Sequence, residues 1–242
     1  MPFKYSSDLM ICLRRFAVVT LACLLSACLA HASDVVQSEM VDFPGVGAVR
    51  VEAIEPVDRL PRMLFSQAST GRQLLAAEVG TSDPEGSSSY VVRDFGTMSP
   101  RMHFRTLAVS GMPNPLLLAV VMRPGGSDCR YAAALIGAVK GQLTVLTPKQ
   151  MWTNAEGGFY VGRLNSKLGY GLVRWNFIWG DEDHYHPHRY EASIYHFSPT
   201  DFRFTLVRSV ASEHKFASGE EFLASLGLQV LNLLSTFPDF GC

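Results

Sequence analysis

The chain has 242 residues, is 48% hydrophobic and 18% charged, and carries a formal net charge of −1. That length allows one sizeable core and excludes two large domains. The near-neutral balance supplies neither the basic stripe of a nucleic-acid binder nor the acidic run of a solvating tail.

The first 32 residues read as an export signal. Lys4, Arg14 and Arg15 form a positive n-region, and residues 16–25 an apolar stretch too short to span a bilayer. Ala30-His31-Ala32 fits the small-x-small cleavage pattern, leaving Ser33 as the new N-terminus. Leu25-Ser26-Ala27-Cys28 offers a second exit, because it resembles the bacterial lipobox, in which the cysteine is acylated and becomes the first residue. The first exit implies a periplasmic or secreted protein, the second one anchored by lipid in the outer membrane. After either, Cys129 and Cys242 remain, and an oxidising compartment favours a disulfide between them.

Beyond the signal, residues 33–242 read as a single β-rich domain. Residues 33–60 form an extended opening segment punctuated by Pro44 and Pro56, with a strand where Val49, Val51 and Ala53 alternate with polar neighbours. Strands are predicted over 62–67 and 73–79, a polar loop over 81–89, and a further strand over 90–95.

From residue 103 the pattern becomes regular. Strands are expected over 104–109, 116–122, 129–139 and 142–146, with Lys140-Gly141 as a hairpin turn. The same order recurs over 159–162, 172–179, 189–197 and 202–207, with a turn at Ser198 to Asp201. Leu117 aligns with Leu172, Arg130-Tyr131 with Arg189-Tyr190, and Thr144 with Thr205, the offset growing at each connection. The fold expected is therefore mainly β and antiparallel. It holds two blade-like four-stranded repeats, about 103–147 and 158–209, in a propeller-like or sandwich arrangement. A C-terminal helical segment at 218–237 completes it. Its helix runs from Ser218 to Leu226, with Ser218 as cap, Glu221 completing a capping box and Gly227 as the stop.

Gly162, Leu164, Asn165, Gly169, Leu172 and Val173 resemble the FG-GAP repeat, which carries a Gly-Asp-hydrophobic-Asn-Gly-Asp-Gly loop followed by a hydrophobic strand. The resemblance implies a strand–loop–strand unit whose aspartates hold calcium. Here Arg163 stands at the first acidic position, and Lys167 and Gly171 at or near later ones. Two cations inside the loop argue against calcium, which needs anionic or carbonyl oxygens.

Residues 180–188, Gly-Asp-Glu-Asp-His-Tyr-His-Pro-His, are the segment to suspect. His184, His186 and His188 are spaced so that an extended chain turns all three rings one way, a geometry able to hold zinc or copper. Asp181, Glu182 and Asp183 would add a carboxylate ligand, a second shell or, at Glu182, a general base. Against this, Pro187 interrupts strand alternation, and a polar segment of this kind is also what an exposed hairpin tip looks like. Val173, Trp175, Phe177 and Trp179 share one face of their strand and read as core between packed layers. Arg174 and Asn176 lie on the opposite face, where Glu191 on the paired strand is the partner expected for Arg174. His103, His196 and His214 stand singly and read as structural. Gly125-Gly126-Ser127-Asp128 is not a phosphate loop, since it precedes no helix and lacks the lysine.

The function expected is a non-catalytic envelope module with no cofactor, binding a protein or cell-wall polymer through the 180–188 segment. The alternative is a metal-dependent hydrolase using His184, His186 and His188. No nucleophile with its base emerges anywhere in the chain.

Overall fold

Alternation builds the first sheet. The computed structural model describes residues 35–55, 61–79, 101–123, 129–148, 151–180 and 186–237. Strands β1 (Val35–Phe43), β2 (Gly47–Ile54), β3 (Arg62–Gln67) and β4 (Gln73–Glu78) pair in chain order as an antiparallel meander. Val41, Phe43, Val49, Val51, Ala53, Met63 and Phe65 point inward, and their neighbours Asp42, Arg50 and Glu52 point away.

The second sheet follows the same order: β5 (Arg101–Leu107), β6 (Leu116–Arg123), β7 (Arg130–Val139) and β8 (Gln142–Val145). A short strand, β9 (Trp152–Asn154), continues beside β7 where β8 has ended. This sheet is apolar on both faces because it is the middle layer. Leu117, Ala119 and Val121 pack against the first sheet. Leu116, Leu118, Val120 and Met122 pack against the third. The unbroken hydrophobic run of β6 is the sequence signature of burial on both faces.

The third sheet is β10 (Gly158–Asn165), β11 (Gly169–Ile178), β12 (Arg189–Ser198) and β13 (Arg203–Ala211), again in chain order. One face meets the second sheet through Phe159, Val161, Leu172, Phe197 and Phe204. The other carries Val173, Trp175, Phe177, Tyr190, Ala192 and Ile194 and is covered by α1 (Gly219–Ser225) through Phe222 and Leu223. Ser218 caps the helix as expected, while the carboxylate of Glu221 reaches one residue further back than a capping box requires. Ser218 Oγ accepts the Glu221 N–H at 3.2 Å, and the Glu221 carboxylate reaches back to the Ala217 N–H at 2.8 Å. The helix ends before Gly227, which takes φ +75. Beyond it, a 3₁₀ turn at Leu233–Thr236 buries Leu234 against the second and third sheets.

Mainly antiparallel β with a short C-terminal helix is thus the architecture, and the two expected repeats are its second and third sheets. The first sheet is another four-stranded meander, for which the sequence shows no repeat. The segments expected at 81–89 and 90–95 lie outside the described residues. No helix among the described residues is long and apolar enough to cross a membrane.

Candidate functional site: the β11–β12 end of the third sheet

The site grows from a mismatch in strand length. β10 begins at Gly158, opposite Trp175, so Asn176 to Ile178 run past it with backbone groups facing no strand on that side. β9 fills the gap with side chains. Thr153 Oγ1 donates to the Trp175 carbonyl, Asn154 Nδ2 donates to the Phe177 carbonyl at 2.8 Å, and the Phe177 N–H donates to Asn154 Oδ1 at 3.2 Å. Thr153 and Asn154 are buried, so each bond spares a backbone group a desolvation penalty of about 1–3 kcal/mol.

Asn176 carries the network inward. Its Oδ1 accepts the Asn154 N–H at 3.1 Å and its Nδ2 donates to Glu191 at 3.0 Å. Glu191 lies 3.8 Å from Arg174, the ion pair expected from the sequence, and Arg174 also donates to Ser193 Oγ at 3.2 Å. The Arg174 and Arg130 guanidiniums each lie 5.7 Å from the Trp152 ring centroid, within cation–π range. On the other face Tyr190 Oη donates to Glu156 at 3.4 Å. Burial, and then the Glu156 carboxylate, push the Tyr190 phenol well above its ordinary pKa.

Both feet of the β11–β12 connection are therefore pinned. Asn154 holds Phe177 on one side. On the other, His188 and Phe216 exchange backbone bonds of 3.0 and 2.8 Å. Between them stands Trp179, 48% exposed, its ring edge-to-face with Phe177 at 4.6 Å. The predicted apolar stripe is core at Val173, Trp175 and Phe177 and reaches the surface at Trp179.

Two of the suspected histidines are described, and they differ in exposure. His186 is exposed, whereas His188 is wholly buried, its ring 4.8 Å from that of Phe177 and both its nitrogens without a hydrogen-bond partner. Asp181, Glu182, Asp183 and His184 lie outside the described residues, among which no group of three metal-ligating side chains occurs. Of the single histidines, His196 Nδ1 contacts the Leu168 carbonyl at 3.0 Å and His214 is exposed. Cys129 is buried, and Cys242, its expected disulfide partner, lies outside the described residues. In the turn that resembles the FG-GAP loop, Asn165 Oδ1 accepts the Lys167 and Leu168 N–H groups at 3.0 and 2.7 Å.

Trp152, Thr153 and Asn154 are the candidate-site residues that sequence reasoning missed. They stand ahead of Glu156-Gly157-Gly158, and nothing local announces that they bridge two sheets. Their one visible trace is the glycine pair. A Cβ on Gly157 would lie 1.7 Å from Thr153 Oγ1, and one on Gly158 would lie 2.3 Å from the Trp175 ring. The chain matches no protein family, and no curated protein or solved structure is significantly similar to it.

Proposed function

We propose that this is a non-catalytic binding module of the cell envelope, exported by its N-terminal signal, which engages a protein or wall polymer through the β11–β12 end of its third sheet. The observation that carries this reading is Trp179, an exposed indole on a connection pinned at both feet. A large aromatic held in place loses little conformational freedom on binding, which is why such residues dominate interface energetics. The polar groups beneath it speak for binding over catalysis. Thr153, Asn154, Asn176 and Glu191 are spent on backbone and ion-pair contacts, and among the described residues here no nucleophile is set beside a base.

The test is co-sedimentation of the exported chain with purified cell-wall sacculi, alongside photocrosslinking in cells from a reactive residue at position 186. Trp179→Ala should weaken whichever association is found by about tenfold or more, the cost of a truncated aromatic anchor, with an unchanged unfolding midpoint. Association unaltered by Trp179→Ala would remove this end of the sheet as the contact.

A further inference from the structure

β13 is the outer strand of the third sheet, nine residues long, and among the described residues no strand pairs with its free side. Seven of its residues are exposed, including Leu206 and Val207 at 52% each. Edges of this kind are normally blunted by brevity, charge or a bulge. Here a bulge at Val207, where Leu206 pairs Tyr195 and Arg208 pairs Ile194, leaves a regular run from Arg203 to Leu206.

That run opens onto a cavity of about 510 Å³ between the β7–β8 and β12–β13 hairpin tips, lined by Lys140, Thr200, Asp201, Phe202, Arg203 and Thr205 together with Val139. Lys140 and Phe202 are the non-glycine residues in left-handed conformation among those described, with φ of 50 and 53. Left-handed backbone at such residues is strained and persists where the surroundings hold it. Both tips thus turn side chains toward one cavity. Its charge is unbalanced: Lys140 and Arg203 face a single carboxylate, Asp201, which accepts a hydrogen bond from Ser198 Oγ at 3.1 Å. β13 itself contains two arginines, Arg203 and Arg208, and no acidic residue.

We propose that β13 is a strand-addition site for an extended acidic segment of a partner protein. Main-chain bonds along Arg203 to Leu206 would supply affinity, Leu206 and Val207 would take apolar side chains, and Lys140 and Arg203 would select carboxylates. The site lies at the opposite end of β12 from Trp179, so it stands or falls independently of the proposal made for the β11–β12 end.

The experiment uses the full exported chain and two end-blocked, fluorescein-labelled eight-residue peptides, one alternating glutamate and valine, the other lysine and valine. Anisotropy should show binding of the glutamate peptide alone, weakened at least about tenfold by Lys140→Glu/Arg203→Glu and by raising salt. Hydrogen exchange should slow at amides 203–206 on binding and stay unchanged at 176–180. Arg208→Gln provides a milder second variant if the double reversal perturbs folding. Failure of the glutamate peptide to bind, equal binding of the lysine peptide, or binding without protection of 203–206 would each overturn the proposal. So would a concentration-dependent dimer in light scattering that Leu206→Glu abolishes, since the edge would then belong to a second copy of the chain.

Discussion

Replacing Asn154 by alanine strips the Phe177 N–H and C=O of their partners at once, in a place water does not reach. At about 1–3 kcal/mol per orphaned group, urea unfolding should show a loss of about 3 kcal/mol, several times what an exposed asparagine would cost. Tyr190 makes a second prediction at this scale. Burial and Glu156 raise its folded pKa above the unfolded value of about 10, so the folded state keeps a proton that the unfolded state gives up. The stabilisation is fully present below about pH 10 and is lost as pH rises beyond it. Unfolding midpoints measured from pH 8 to 11.5 should fall steeply above 10 for the native chain, and less steeply for Tyr190→Phe. An identical fall in both would show that another group governs the alkaline limb.

Among the elements, α1 has seven residues and little intrinsic stability, so its cap and its buried face decide whether it covers the third sheet. Ser218→Ala should cost about 1 kcal/mol through the lost Glu221 N–H bond. Phe222→Ala should cost about 3–5 kcal/mol, since Phe222 is 2% exposed and packs among Tyr190, Phe216 and Leu223. Chemical denaturation of both variants checks the ratio. Comparable losses would mean that the helix is held as much by its cap as by its face. This element was legible in the sequence because capping is local chemistry: serine, glutamate and glycine at fixed spacing say where a helix starts and stops. The strands of the second and third sheets were legible because alternation and turn residues are local too. β1 was not, because its two firmly buried residues, Val41 and Phe43, sit at its far end and leave no periodicity over Val35 to Met40. β9 was not, because three residues carry no period at all. The site shares that fate: Glu191 could be matched to Arg174 across one hairpin, whereas Asn154 meets Phe177 only because two sheets stack.

At the scale of the molecule, the second sheet belongs to two cores at once. Leu117 is fully buried in the core shared with the first sheet, and its neighbour Leu118, 2% exposed, lies in the core shared with the third. Adjacent residues of one strand therefore report on opposite interfaces, and their truncation tests whether the layers fold as one. A leucine cut to alanine in either core should cost about 2–5 kcal/mol. Because β6 transmits both interfaces through a single backbone, Leu117→Ala and Leu118→Ala should each shift the whole transition without splitting it. Tyrosine fluorescence and far-ultraviolet circular dichroism should coincide along the curve in both variants. A two-step curve in Leu117→Ala, with the first step confined to loss of the first sheet, would show that 35–78 is a separable layer. In that event the third sheet, with Trp179 at one end and the β13 edge at its side, would be expected to keep both proposed binding surfaces after the first sheet had melted.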